Sequence, residues 1–134
     1  MGYLIDTCVL IQTERTQKTL QDFFLNLKEE PIGLSVISAA ELLHGIHRAK
    51  DAKTKYKRSA FVETILEKIP IYPFDLKMAR IYAELWANLK KSAVNIDTHD
   101  LLIGACALAL DFSVVTFDRR DFSRIPGLKT NFLK

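Results

Sequence analysis

Short apolar runs alternate along this chain with segments of helical spacing. The clearest runs cover residues 3–5, 31–35 and 112–116. In the segments between them, apolar residues recur every three or four positions, as on one face of a helix. Strands that are apolar throughout are buried on both faces, and strands that alternate with helices form parallel sheets. The sequence therefore predicts an α/β fold with a short central parallel sheet flanked by helices on both faces.

The helical segments have recognisable limits. They are predicted at residues 8–13, 16–29, 38 onward into the lysine-rich stretch, 53–67, 75–91 and 98–110. Pro70 and Pro73 exclude a helix at 69–74, which is expected to be extended. A turn and an edge strand are expected within 126–132. Because no linker or internal repeat interrupts this pattern, we treat residues 1–134 as a single domain.

The composition excludes several classes of protein. Of the 134 residues, 49% are hydrophobic and 26% are charged, which is ordinary globular usage and unlike a disordered chain. No apolar run approaches the ~18 residues that span a membrane, and Asp6 comes too early for a secretory signal. Cys8 and Cys106 lie in apolar runs and are predicted to be reduced. We therefore expect a cytoplasmic protein without membrane association.

The positive charge is concentrated in one segment. Residues 48–58, called the basic run below, contain six Lys or Arg and one Asp, whereas the rest of the chain has 13 basic and 15 acidic residues. Such a run is either a solvated helix face or a surface that attracts polyanions. The charge alone leaves both interpretations open.

Four acidic residues fall where a parallel sheet collects ligands. Asp6 directly follows the first strand, Asp118 follows the strand at 112–116, and Glu41 and Asp100 lie in the first turns of two predicted helices. Ligands of open parallel sheets bind at the carboxyl ends of the strands. Four converging carboxylates indicate a site for a hard divalent cation, Mg²⁺ or Mn²⁺, and the His and Cys spacing does not suit zinc. Asp6 is the hardest to explain structurally, because a buried carboxylate needs a partner.

Each of the other acids also has a purely structural interpretation. Glu41 fits the acid of a capping box that begins at Ser38, and Asp100 fits a first-turn acid favoured by the helix dipole. Asp97 is more readily an N-cap than a ligand. Asp118 is equally suited to a turn or to an ion pair with the arginines that follow it.

The acidic residues lie in segments that resemble a known family. Residues 4–10 resemble the opening of PIN domains, in which an Asp and a following Ser or Thr end the first strand. Residues 38–45, 97–105 and 115–122 look like the second, third and fourth acidic motifs, and 125–128 resembles the usual ending. The resemblance covers nearly the whole chain and is strongest to the VapC-like toxins of type II toxin–antitoxin pairs.

The resemblance implies a Mg²⁺-dependent endoribonuclease in which Mn²⁺ substitutes. It further implies inhibition by a VapB-like antitoxin and a homodimer. Asp6 and Asp100 would be the primary metal ligands, and Glu41 and Asp118 would bind a second ion or orient water. Metal-activated water would then hydrolyse the phosphodiester. The residues expected to support these ligands or to contact phosphate are Thr7, Thr116 and Asp97.

The basic run acquires a role in the same hypothesis. An acidic catalytic edge does not attract a polyanion without flanking cations. The residues expected to contact RNA phosphates are Lys50, Lys53, Lys55, Lys57 and Arg58.

Other interpretations fit the sequence less well. A phosphatase of the haloacid-dehalogenase type needs a second Asp two residues after the first, where Cys8 stands here. A nucleotide-binding fold needs a glycine-rich loop after the first strand, and residues 6–12 contain no glycine. A non-catalytic scaffold on the same fold, and a nuclease that acts on DNA or flaps, stay open as alternatives.

Overall fold

A five-stranded sheet forms the centre of the protein in a computed structural model that describes residues 1–16 and 30–133. The strands are β1 (Gly2–Ile5), β2 (Ile32–Ser35), β3 (Ile71–Tyr72), β4 (Phe112–Thr116) and β5 (Thr130–Phe132). Their order across the sheet is β3-β2-β1-β4-β5, and every neighbouring pair is parallel. The predicted α/β fold with a parallel sheet is confirmed, including the edge strand near the end of the chain.

Six helices are seen within the described residues. They are α1 (Thr7–Thr16), α2 (Val36–His47), α3 (Ala52–Lys68), α4 (Leu76–Lys91), α5 (Thr98–Leu110) and the single turn α6 (Arg119–Phe122). The helix predicted at 16–29 lies outside the described residues, except for residue 16, which ends α1. None of the described helices is long and apolar enough to span a bilayer.

The core has one half on each face of the sheet. Neighbouring residues of a strand point to opposite faces, so Leu4 packs in one half with α4 and α5, and Ile5 packs in the other with α1, α2 and α3. Val114 and Val115 of β4 divide in the same way, and all four side chains are fully buried. This double burial explains why these neighbouring central positions of β1 and β4 are all apolar.

Several helix limits differ from the predictions. The capping box at Ser38 is wrong, because Ser35 is the N-cap of α2 and its Oγ accepts a hydrogen bond from the Ile37 N–H at 3.1 Å. Ser38 is instead buried inside the helix, and Glu41 lies in the second turn rather than the first. The start of α1 is also earlier than predicted, at Thr7 directly after Asp6.

The link between α2 and α3 was also predicted wrongly. The second helix does not run into the basic run; it ends at His47, and a new helix begins at Ala52. Asp51 is its N-cap, because Asp51 Oδ1 accepts a hydrogen bond from the Thr54 N–H at 2.7 Å. The acid inside the basic run thus separates the two helices and positions Lys53, Lys55 and Lys57 on the exposed start of α3. The caps predicted at Asp75 and Asp97 are confirmed.

Gly33 in β2 should not tolerate a side chain. A Cβ atom there would overlap the ring of Tyr72 and lie 3.2 Å from the carbonyl oxygen of Pro70. We expect Gly33→Ala to lower the free energy of unfolding by about 1–3 kcal/mol, because overpacking displaces the neighbouring strand. Gly45→Ala in α2 is the control: its nearest atom would be Arg58 Cδ at 3.9 Å, so removing a helical glycine should stabilise the protein by up to about 1 kcal/mol. Equal denaturation midpoints for the two variants would contradict this.

Candidate metal centre

The candidate site lies where the two central strands end. β1 and β4 pair in register with Ile5 opposite Val115, and the backbone N–H of Asp6 donates to the carbonyl oxygen of Val115 at 2.9 Å. The sheet thus carries the side chain of Asp6 to the same edge as Thr116, the last residue of β4. Asp118 follows two residues later.

Asp6 is a buried carboxylate held by three hydrogen bonds. Its side chain accepts from the backbone N–H of Thr7 at 2.8 Å, from the hydroxyl of Thr116 at 2.7 Å and from the thiol of Cys8 at 3.2 Å. Burial raises the pKa of Asp6, the three hydrogen bonds lower it, and the nearby charge of Asp118 raises it; the net shift is upward. The Cys8 thiol stays protonated at neutral pH because burial, together with the charge of Asp6, raises its pKa to about 11.

Thr116 joins two of the predicted acids. While its hydroxyl donates to Asp6, the same oxygen accepts a hydrogen bond from the backbone N–H of Asp118 at 2.9 Å. The side chain of Thr116 is fully buried, so this bridge is shielded from water. It fixes the loop that carries Asp118 relative to Asp6.

Three carboxylates meet beside this bridge. Within the described residues, Asp100, Asp118 and Asp121 each place one carboxylate oxygen so that the three atoms lie within 4.8 Å of one another. We call these residues the acid cluster. Asp100 comes from the first turn of α5, and Asp118 is the N-cap of α6. Asp6 lies close enough to the cluster for its charge to act on Asp100.

Asp121 was missed in the sequence analysis. Its backbone N–H donates to Asp118 Oδ1 at 3.4 Å, which is the N-cap geometry that places residues three apart on one side of a helix. The spacing Asp118 to Asp121 was therefore a usable signal. Arg124 and the backbone N–H of Asp97 hold Asp121 in place, at 3.1 Å and 3.3 Å.

The negative charges of the acid cluster repel one another when no cation is bound. Burial, the charge of Asp6 and a hydrogen bond to Asp121 raise the pKa of Asp100 to about 8. Burial also acts to raise the pKa of Asp121, but hydrogen bonds from Asp97, Arg124 and Asp100 outweigh it and lower the pKa overall. A proton shared between two carboxylates therefore relieves the repulsion. An all-oxygen donor set of this kind fits a hard divalent cation, which would relieve it more completely.

Glu41 occupies a neighbouring position and is not one of the three acids of the cluster. Its Oε1 accepts a hydrogen bond from the Thr7 hydroxyl at 3.0 Å, and its Oε2 lies 3.4 Å from His99 Nδ1. Thr7 directly follows Asp6, and His99 directly precedes Asp100. Glu41 therefore contacts the sequence neighbours of both proposed primary ligands.

A cavity of about 690 Å³ opens beside Glu41, between α1, α2 and α3. Its lining includes Thr7, Glu41, Arg48, Arg58, Phe61 and His99. The cavity thus extends from Glu41 to Arg48 and Arg58, the first and last residues of the basic run.

The residues of the basic run are not equivalent. The side chains of Lys50, Lys53, Lys55 and Lys57 are exposed. Arg58 is partly buried; its guanidinium donates to the carbonyl oxygen of Gly45 at 3.0 Å and lies 3.7 Å from Glu14. The arginine therefore joins α3 to α2, whereas the four lysines project into solvent.

Asp97 caps the helix that carries Asp100. Its Oδ1 accepts hydrogen bonds from the backbone N–H groups of His99 at 3.0 Å and Asp100 at 3.4 Å. Its own N–H contacts Asp121, as described above. Asp97 therefore holds the start of α5, which carries Asp100, next to Asp121.

This arrangement of strand-end and helix-start acids is that of a known fold family. The family model described as "PIN domain" matches residues 3–128. The chain therefore belongs to the PIN domain family, and within it to the VapC-like proteins, as its similarity to curated relatives shows.

Three comparisons illustrate the similarity. Ribonuclease VapC of Rickettsia bellii is 34% identical over 129 residues, which cover 96% of this chain and 94% of that protein. The structure of VapBC2 from Rickettsia felis, bound to a DNA fragment from the promoter, superposes with a TM-score of 0.89 at 27% identity, with both chains covered completely. VapBC-5 from Mycobacterium tuberculosis, a member of the VapBC family of toxin–antitoxin systems, gives a TM-score of 0.75 at 25% identity, covering 99% and 98% of the two chains.

Proposed function

We propose that this chain is a metal-dependent endoribonuclease and the toxin of a toxin–antitoxin pair. The observation that carries the proposal is the acid cluster beside the buried Asp6, at the carboxyl edge of the sheet. The relative in Rickettsia bellii is named a ribonuclease, and the similar complexes are VapBC assemblies, which supports both parts of the proposal.

The residues that would hold Mg²⁺ are Asp6, Asp100, Asp118 and Asp121, with Glu41 available from the adjacent cavity. When bound, the cation supplies neutralisation of phosphate charge and a lowered pKa for an attacking water, and Mn²⁺ would substitute. The carboxylates are catalytic in the sense that they would hold the positive charge of the cation at the carboxyl edge of the sheet. Asp121 joins the four acids expected from the sequence.

The remaining side chains of the site position these carboxylates. Thr116 holds Asp6 and the Asp118 loop at a fixed separation, and Asp97 orients the start of α5. Thr7 and His99 hold the two oxygens of Glu41 at the cavity wall. A phosphate in the cavity would meet the Thr7 hydroxyl when that hydroxyl turns away from Glu41. The cavity thus offers the RNA strand a route past Glu41.

Cleavage by the purified chain tests the catalytic part of the proposal. We expect single-stranded RNA to be cleaved internally in Mg²⁺, cleavage to stop in excess EDTA and activity to return when Mg²⁺ is restored. A scaffold protein would cleave nothing under any of these conditions. Faster cleavage of a DNA flap than of RNA would favour the alternative nuclease.

The antitoxin proposal has its own support and test. The four exposed lysines and the arginines of the cavity provide a surface for an acidic, amphipathic segment of a VapB-like partner. An arginine of that partner would pair with the acid cluster in place of a cation. Co-expression of the protein encoded by the adjacent reading frame should suppress cleavage. Unchanged cleavage in a stable co-purified complex would contradict the inhibitory role.

The proposed homodimer would use the exposed apolar side chains of α4. Helix α4 exposes 66% of Leu76 and 50% of Trp86, whose ring lies 5.8 Å from that of Tyr82. Burial of these apolar side chains against a second copy would stabilise the dimer. We also place the protein in the cytoplasm, because Cys8 and Cys106 are both free thiols.

A further inference from the structure

An exposed aromatic ring stands in the middle of the basic run. Tyr56 lies in the second turn of α3, and 78% of its surface is accessible. The residues four positions before and after it on the helix are Ala52 and Ala60, which have too little side chain to cover a ring. The tyrosine ring is therefore exposed to a flat ligand, with Lys53 as its one long neighbour on the preceding turn.

The surroundings of the ring are cationic rather than apolar. Lys53 lies one turn before Tyr56 on the same side of α3, and Lys55 and Lys57 flank it in sequence; all three lysines are exposed. An apolar partner face would find almost nothing to bury here besides the ring itself. A ring set among lysines instead matches the way proteins bind single-stranded nucleic acid, with bases stacked on aromatics and phosphates held by cations.

The location suits a contact outside the metal centre. The ring is on the solvent side of α3, whereas Arg58 and Phe61 on the inner side line the cavity that reaches Glu41. Lys55 and Lys57 lie on opposite flanks of α3, about 100° around the helix from Tyr56, so a strand that leaves the cavity across either flank would pass one of these lysines before the tyrosine ring.

We propose that Tyr56 stacks on an unpaired base of the RNA while Lys53, Lys55 and Lys57 contact its phosphates. This inference rests on the proposed ribonuclease function and adds to it a contact with an unpaired base outside the metal centre. Duplex RNA keeps its bases stacked inside the helix and cannot offer one to the ring.

Binding to uncleaved RNA tests the inference. The probe is a fluorescently labelled single-stranded RNA of mixed sequence, and its anisotropy is measured in EDTA with the Asp100→Asn protein as parent, so that nothing is cut. In that background, Tyr56→Ala should weaken binding about 10-fold, within the range for loss of one stacked base. Tyr56→Phe keeps the ring and should stay within about twofold of the parent.

Salt dependence separates stacking from charge. The slope of log K against log salt should be the same for Tyr56→Ala and the parent, because stacking releases no counterions. The matched control is Lys53→Ala with Lys57→Ala, which should flatten the slope by about 0.7 for each phosphate that the variant no longer neutralises. Circular dichroism establishes that each variant is folded.

The outcomes distinguish this inference from the proposed function. Parent-like RNA binding by Tyr56→Ala overturns the stacking role alone, as does an equal loss in Tyr56→Phe or equally tight binding of duplex RNA. A Tyr56→Ala variant that keeps RNA affinity but loses its antitoxin assigns this surface to the protein partner. A wild-type chain that cleaves no RNA in Mg²⁺, together with a parent that binds none in EDTA, overturns the ribonuclease proposal as well.

Discussion

Replacing Asp100 with Asn is expected to reduce RNA cleavage by at least about 100-fold while the protein stays folded. Asp100 is the acid on which the charges of Asp6, Asp97 and Asp118 all act, and the amide keeps its shape without its charge. A cation would lose an anionic ligand, and mutations at groups that stabilise transition-state charge typically cost this much. The measurement is the single-turnover rate at matched, saturating Mg²⁺.

The same substitution should raise the melting temperature of the metal-free protein. At neutral pH, the repulsion and burial that raise the pKa of Asp100 to about 8 also oppose folding. If the substitution removes about 1 kcal/mol of this unfavourable free energy, the melting temperature should rise by roughly 4 °C for a chain of this size.

Asp111→Asn is the control for Asp100→Asn. Asp111 lies at the other end of α5 in a left-handed conformation that Asn adopts well, and its exposed contact with Lys129 contributes little. It should change neither the cleavage rate nor the melting temperature appreciably. Parent-like cleavage by the Asp100→Asn variant would contradict the assignment of the acid cluster.

Divalent metal is expected to stabilise the protein more at pH 8 than at pH 6. The folded-state pKa of Asp100, about 8, is above its ordinary value of 3.8, so the folded protein holds a proton that the unfolded chain has released. Stability without metal therefore falls as pH rises from about 4 to about 8 and then levels off. The cation competes with this proton, so less metal is needed as the proton leaves.

Melting temperatures with and without Mn²⁺ provide the measurement. At a concentration 100-fold above Kd, the bound cation should contribute about 2.7 kcal/mol, or roughly 10 °C. The Asp100→Asn variant should show a much smaller metal effect and a weaker fall in stability with pH. A metal-induced rise that is larger at pH 6, or equal in the parent and the variant, would contradict the proposed ligands.

The sheet was predictable because its signal is local and repeated. Leu4, Ile5, Val114 and Val115 are apolar in consecutive pairs, as a strand buried on both faces requires. Asp6, Asp100 and Asp118 could be brought together in advance because strand ends and helix starts meet at one edge of a parallel sheet. The structure brings these three residues from distant parts of the chain to one edge of the sheet, and their role as metal ligands stays a prediction.

What the sequence did not predict depends on side-chain competition within single turns. Ser35 and Ser38 are both plausible N-caps from the sequence. Ser35 is the N-cap in the structure, because it ends β2 and its hydroxyl oxygen accepts a hydrogen bond from the Ile37 N–H. Asp121 was missed because its place in the acid cluster depends on α6, a single turn too short to show periodicity. The separate role of Arg58 depends on a contact with Gly45, 13 positions away, which no spacing in the sequence indicates.

The 5′ ends of cellular RNA, sequenced after brief induction of this chain, test the central claim most directly. The account predicts new, discrete 5′ ends in cells that express the parent, and none in cells that express equal amounts of folded Asp100→Asn protein. New ends should also disappear when the antitoxin is co-expressed. The same new ends in cells with the Asp100→Asn variant, or none with an abundant and folded parent protein, would contradict the claim that the acid cluster cleaves RNA.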